Sequence, residues 1–230
     1  MALFRPGSFA GQISGRLGGD VFSHNRYGEY IRKGTNPVTS TTPYALAAKA
    51  ALSAASQAWQ SLAADAKLAW KLWAQTNTTT NRLGQSITLT GHAAYVSLNA
   101  RMLGTGFPAN DVPPLIQAPA PLTSVALSPD IGLGAFDLTY TATPLAANDY
   151  LWIYAALVDS TGINYVQNLL RLVGKSGAAQ ASPFDPQALI EARLGALQVG
   201  QIIHLAVHVF EGVNGQLSAP QSTSAAVIST

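Results

Sequence analysis

The chain has 230 residues, of which 48% are hydrophobic and 10% are charged, and its formal net charge is +2. An average soluble domain is about 25% charged, so this composition excludes a disordered chain and predicts a large core beneath a weakly charged surface. The chain has no cysteine, which excludes a disulfide framework and a thiolate metal site. Such a surface favours a protein that packs among copies of itself or among partners.

The charges are divided unevenly between the two halves of the chain. Residues 1–110 carry ten basic and three acidic residues, a net of +7, whereas residues 111–230 carry three basic and eight acidic residues, a net of −5. The asymmetry favours an anionic partner for the first half, either nucleic acid or an acidic protein surface. It equally favours head-to-tail contact between opposite halves of neighbouring copies.

The N-terminal segment, residues 1–36, is predicted to be an extended arm followed by a β-ribbon. Glycine and proline interrupt any helical period, and the stretch Gly11–Pro37 combines glycines, arginines and aromatic residues. Apolar and polar residues partly alternate in Asp20–Ser23 and Glu29–Arg32, which predicts a hairpin or two short strands about a turn.

Residues 37–107 are predicted to form a small helical domain. Thr42 and Pro43 begin a first helix that runs to Leu62, and a second helix follows it through Trp73. A short strand is expected at Leu83–Leu89, and a third helix begins after Thr90 and stops at Gly104. The core of the first two helices is expected to contain Trp59, Leu62, Leu68, Trp70 and Trp73.

A proline-rich linker, residues 108–122, leads to a segment of period two that is predicted to be an immunoglobulin-like or fibronectin-like β-sandwich, residues 123–230. One helix is expected at Gln187–Leu194, between Pro186 and Gly195. The fold class is therefore α+β with several domains. The expected strands are Ser124–Ser128, Ala135–Ala142, Leu151–Asp159, Tyr165–Val173, Gln201–Glu211 and Ala225–Ser229.

Residues that carry chemistry are sparse, and we expect no enzyme activity, no cofactor and no bound metal. His204 and His208 would lie about 13 Å apart along one strand, too far for one metal ion. No serine stands in a nucleophile elbow, and the acidic residues are scattered singly along the sequence. No window approaches the roughly 18 apolar residues that span a bilayer, so no membrane partner is expected.

The ribbon and its arm supply the candidate interface. Arginine makes charge-assisted hydrogen bonds to carboxylates and carbonyls, and aromatic residues bury a large area at a low entropy cost. Both residue types are concentrated in this segment. The expected interface residues are Phe4, Phe9, Arg16, Phe22, Arg26, Tyr27, Tyr30 and Arg32.

The first half of the chain resembles a group of largely uncharacterised proteins of phages, prophages and environmental bacteria. The likeness rests on SGRLGGDVFSHNRYGEYIRKGTNP, which is similar to an SG-x-x-GG-x-VFS-x-NRYG-x-YIR opening, and on the segments AWQSLAADAKLAWKLWA and LTGHAAYVSLNARM. The resemblance implies a virion or particle context. The chain carries Lys33, Gly34 and Thr35 where the group is expected to have more arginine and proline.

These observations together predict a virion structural protein, capsid-associated or a decoration protein, that docks through its basic N-terminal arm. The expected partners are other virion proteins and copies of itself, and the expected location is the virion after synthesis in the host cytoplasm. The alternative functions are a minor tail or connector component, or a nucleic-acid-associated protein that uses the basic half. Residues 58–70 resemble the helical joint of HMG-box DNA-bending proteins, which are dense in Lys and Arg. Nucleic acid is less favoured because the helical hairpin here has only Lys49, Lys67 and Lys71.

Overall fold

The computed structural model describes residues 2–3, 13–25, 28–35, 39–80, 85–115, 118–132, 134–143, 145–163 and 165–229. By packing, the chain divides into two compact units, residues 1–46 and 47–230. The described residues form four helices and several antiparallel sheets. The predicted α+β class is thus confirmed at this level, while the predicted division into four segments stays a prediction.

The first unit contains four strands, β1 (Ala2–Leu3), β2 (Gly15–Leu17), β3 (Asp20–Asn25) and β4 (Gly28–Lys33). They form an antiparallel sheet of order β1-β4-β3-β2. Gly18, with a φ of +58°, lies in the two-residue turn between β2 and β3, where a side chain would be strained. The predicted hairpin is present as β3 paired with β4.

Three helices precede the proline-rich segment, close to the predicted bounds. Thr90 begins the third helix by accepting a hydrogen bond from the Ala93 backbone N–H at 3.2 Å. Gly91 permits the second and third helices to approach, because a Cβ there would lie 2.9 Å from the backbone nitrogen of Lys71. The elements are α1 (Pro43–Ser61), α2 (Ala64–Thr76), the short strands β5 (Thr79–Thr80) and β6 (Ser86–Ile87), and α3 (Gly91–Gly104).

The predicted core of this helical segment is correct in part. Trp70 and Leu62 are buried, and Trp59 and Trp73 are half-buried against them. Leu68 is 56% exposed, so its assignment to the core is wrong. The reason is helical phase, since Leu68 stands about 200° around α2 from the buried Trp70. The strand predicted at Leu83–Leu89 is limited, among its described residues, to β6.

The remaining strands are β7 (Ser124–Asp130), β8 (Ala135–Thr141), β9 (Asp149–Val158), β10 (Arg171–Lys175), β11 (Ile202–Glu211) and β12 (Gln221–Ala226). They form a hairpin, β7-β8, and a four-stranded antiparallel sheet of order β10-β9-β11-β12. The two strands with long apolar runs, β9 and β11, are the central strands of this sheet. One helix, α4 (Gln187–Leu194), has the predicted bounds.

Two of these strands begin four or more residues from their predicted starts, whereas the bounds of the other four differ by two residues or fewer. The strand predicted at Tyr165–Val173 begins only at Arg171, because the Leu169 and Leu170 backbone N–H groups both donate to the Val166 carbonyl and close a turn. The last strand runs from Gln221, not Ala225, since it begins directly after Pro220 and pairs along β11. Neither shift was visible in an alternation pattern of a few residues.

One hydrophobic core joins the hairpin, the four-stranded sheet and α4. Phe136 and Leu138 from β8, Ile203 and Leu205 from β11, and Ile190 from α4 are all buried in a single cluster. Side chains alternate between the two faces of a strand, so the core takes every second residue of β11. The other face of the four-stranded sheet is left for a second set of contacts.

The second set of contacts joins the end of α3 to the four-stranded sheet. Met102 is buried in one cluster with Trp152 and Phe210, and the Phe107 ring lies 5.2 Å from the Tyr150 ring. The Lys175 ammonium stands 4.0 Å from the Phe107 ring centroid, a cation–π contact. An aromatic joint, defined by these contacts, therefore connects the helices to the sheet across the proline-rich segment.

Replacing Phe107 by Ala tests whether the aromatic joint couples two parts that can fold separately. In the wild-type chain we expect the unit of residues 47–230 to unfold in one transition. Phe107→Ala should remove about 2 kcal/mol of stabilisation from the aromatic joint, so that the helices and the sheets unfold in two separate transitions. Circular dichroism and tryptophan fluorescence during thermal unfolding measure this. Val112→Ala, which trims an exposed side chain, is the control; an unchanged single transition in Phe107→Ala would contradict the coupling.

Candidate interaction surface

Cross-strand register sorts the side chains of the N-terminal sheet onto two faces. Arg16 lies directly opposite Val21, and Val21 lies directly opposite Arg32. Residues opposite each other in an antiparallel pair share a face, so these three form one row. The next row on that face pairs Ser23 with Tyr30. We call the surface formed by Arg16, Val21, Ser23, Tyr30 and Arg32 the arginine face.

The arginine face is positively charged and open. Arg16 and Arg32 are both exposed, and they stand two strand spacings apart, roughly 10 Å. The Arg16 Nε donates a hydrogen bond to the Gly18 carbonyl at 3.2 Å, and the guanidinium has four further N–H donors. Among the described residues of this face none is acidic. The face thus offers two cations on either side of the half-buried Val21, with the half-buried Tyr30 in the next row.

The opposite face of the same sheet carries both acidic residues of the strands. Asp20 lies opposite Lys33, and His24 lies opposite Glu29, so this side carries charges of both signs. Phe22 pairs with Ile31 between them, and both are half-buried. We call this the mixed face. The net charge of the sheet is therefore concentrated on the arginine face.

The sheet lacks a core of its own within the described part of the unit. No described residue between Ile13 and Leu46 is fully buried, and Leu17 is 75% exposed. A small sheet needs an apolar face packed against something to be independently stable. A sheet of this kind is stabilised when another surface covers it.

The predicted interface residues fall into three groups. Arg16, Tyr30 and Arg32 lie together on the arginine face, whereas Phe22 lies on the mixed face. Sequence reasoning missed Val21 and Ser23, although strict alternation from Arg32 along the hairpin would have placed them. The predicted residues Phe4, Phe9, Arg26 and Tyr27 lie outside the described residues.

Two acidic residues that stand singly in the sequence are brought together by the fold. Asp149 at the start of β9 lies directly opposite Glu211 at the end of β11. Burial, and next the Glu211 carboxylate, raise the pKa of Asp149. In the described ranges, no group of three or more His, Asp or Glu residues is arranged to hold a metal ion. No helix within those ranges is long and apolar enough to cross a membrane.

No protein-family model matches the chain, and a search of curated proteins finds no match either. We therefore infer the function from the residues and from the geometry of the arginine face.

Proposed function

We propose that the chain is a non-enzymatic structural protein of a virus particle, capsid-associated or a decoration protein, that docks through its N-terminal sheet. The single observation that carries the proposal is the arginine face. It places Arg16 and Arg32 on one side of a sheet that has no buried described residue. The resemblance of the SGRLGGDVFSHNRYGEYIR segment to phage and prophage proteins supplies the particle context.

The chemistry of the arginine face selects the kind of surface it binds. A guanidinium donates paired hydrogen bonds to a carboxylate in a fixed planar geometry, and the contacts strengthen when water is excluded. Val21, half-buried between the arginines, and Tyr30, half-buried in the next row, supply the apolar area that excludes water. The partner in this proposal is a protein surface with carboxylates spaced by roughly 10 Å, the separation of two strands.

The chain itself offers such a surface in a second copy. Residues 111–230 carry eight acidic and three basic residues. Contact between the arginine face of one copy and the acidic half of the next is heterologous, and repetition of such a contact closes into a ring or extends as a row. Both arrangements suit a component that covers a particle. A minor tail or connector component would use the same contact.

The C-terminal half is proposed to be an immunoglobulin-like or fibronectin-like sandwich that projects from the particle or packs on its neighbours. The proposal is supported by the single core between the β7-β8 hairpin and the four-stranded sheet. With no cysteine in the chain, packing alone stabilises this core. The sandwich in this account serves as a spacer and contact body.

Removing the N-terminal sheet, residues 1–34, tests the proposed function. We expect the full chain to form discrete oligomers and residues 35–230 to be a folded monomer, because the truncation removes the whole docking sheet. Light scattering gives the mass of each, and circular dichroism confirms that the truncated chain is folded. Identical monomers would contradict the proposal. A salt-dependent shift of DNA by the full chain, lost on truncation, would favour the nucleic-acid alternative instead.

A further inference from the structure

A row of oxygen-bearing side chains crosses three adjacent strand segments at one end of the four-stranded sheet. Asp149 in β9 lies directly opposite Glu211 in β11. Beyond β11 the chain turns back, Phe210 pairs with Leu217, and the Glu211 N–H donates to the Gln216 carbonyl at 3.0 Å. Gln216 is therefore the cross-strand neighbour of Glu211 on its other side. Residues paired in this way share a face, so the three side chains stand in one row.

The row contains oxygen atoms that have been removed from water and have no donor. Gln216 is 7% exposed, and its Oε1 is buried with no hydrogen-bond partner. The Glu211 Oε2 is likewise buried without a partner, while its Oε1 accepts from the Asn214 Nδ2 at 3.1 Å. A buried acceptor without a donor lowers the stability of the fold. Here two such acceptors lie in neighbouring side chains, so both unfavourable contributions arise at the same place.

The two carboxylates add like charge to the same place. Side chains directly opposite in an antiparallel pair have Cβ atoms about 5 Å apart, and like charges at that distance destabilise the pair. Burial and the Glu211 carboxylate raise the pKa of Asp149, as expected when no described cation neutralises the pair. Lys175, the base at the end of neighbouring β10, pairs with Trp152 in register and is held against Phe107 on the opposite face of the sheet.

We propose that Asp149, Glu211 and Gln216 form a binding site for a divalent cation of the calcium type. Calcium takes six to eight oxygen ligands from carboxylates, amide carbonyls and water. Two carboxylates and one amide oxygen supply the protein part of such a shell, and water completes it. A cation accounts for all three groups together, because it neutralises both carboxylates and gives the Gln216 Oε1 a partner.

Two other states satisfy only part of the row. A proton shared between Asp149 and Glu211 removes the repulsion but leaves the Gln216 Oε1 without a donor. An amide of Gln216 turned by 180° donates to Glu211 but leaves the carboxylate pair unneutralised. The cation site does not depend on the proposed docking function, since the row lies within residues 47–230 and shares no residue with the arginine face.

Calcium dependence of unfolding tests the site on the full chain. We expect millimolar calcium to raise the unfolding temperature, relative to sodium chloride at the same ionic strength, with a dissociation constant on the order of 10⁻⁴ to 10⁻³ M. Glu211→Gln should weaken binding at least tenfold. Asp65→Asn removes an exposed carboxylate from the first turn of α2 and should leave binding unchanged.

Gln216→Glu separates the cation from the two other states. With a cation in the row, the added carboxylate should tighten calcium binding about tenfold, because it exchanges a neutral oxygen for a charged one. If the Gln216 amide donates to Glu211, the same change places a third acid in the row and lowers stability equally with and without calcium. That result overturns the proposal. It is also overturned if calcium leaves the wild type unchanged, or stabilises Glu211→Gln as much as the wild type.

Discussion

Trp70→Ala should lower the free energy of unfolding of the 47–230 unit by about 4 kcal/mol, the range measured when a buried tryptophan is truncated. Trp70 is 1% exposed, and its indole N–H donates to the Asp111 carbonyl at 2.8 Å. Its ring lies 5.3 Å from Tyr95 in an edge-to-face arrangement. The substitution removes ring contacts, opens a cavity between α2 and α3, and leaves a carbonyl without its donor.

Denaturant unfolding of two further variants separates these contributions. Trp70→Phe keeps most of the volume but removes the N–H, and should cost about 1 to 2 kcal/mol. Leu72→Ala, two residues along the same helix, trims a side chain that is 55% exposed and should change stability by less than about 0.5 kcal/mol. If Trp70→Ala cost no more than Leu72→Ala, the packing of α2 on α3 described above would be wrong.

Reversing both charges of the arginine face should weaken self-association by about 100-fold. In the proposed contact each arginine meets a carboxylate, so Arg16→Glu/Arg32→Glu would remove two charge-assisted contacts and replace them with repulsion. Both side chains are exposed, so the fold should be retained. Sedimentation equilibrium measures the dissociation constant, and circular dichroism checks the fold.

An equal change of net charge elsewhere is the control for the double reversal. Lys33→Glu/Lys71→Glu alters two exposed lysines, one on the mixed face of the sheet and one on α2. Its association should stay within about threefold of the wild type, because neither residue belongs to the arginine face. An equal loss in both double variants would mean that association follows net charge and not the geometry of the face.

Local signals in the sequence predicted the helices well. The bounds of α4 followed from Pro186 before it and Gly195 after it, and α3 began where Thr90 offers a cap. The hairpin β3-β4 followed from alternation about a turn. Each of these signals acts over a few residues, so neighbouring residues are sufficient to read them. Leu68 shows the limit, because the buried side of α2 depends on the position of α3.

The register between strands that are distant in the sequence could not be predicted from the sequence. Asp149 and Glu211 are distant in the chain, and only the pairing of β9 with β11 brings them together. A shift of one residue in that pairing would move every side chain to the opposite face. The arginine face was closer to prediction, since alternation within the hairpin places Tyr30 and Arg32 on one side. The position of Arg16 beside them depends on the turn at Gly18.

The most direct test of the account compares two neighbouring residues of β4 that point to opposite faces. Arg32→Glu changes the arginine face and Lys33→Glu changes the mixed face, both side chains are exposed, and the change of charge is the same. Light scattering gives the mass of each variant beside the full wild-type chain. If the arginine face is the docking surface, Arg32→Glu should be mostly monomer, whereas Lys33→Glu should keep the wild-type oligomer. If both variants keep the oligomer, or if both lose it to the same extent, the arginine face is not the docking surface.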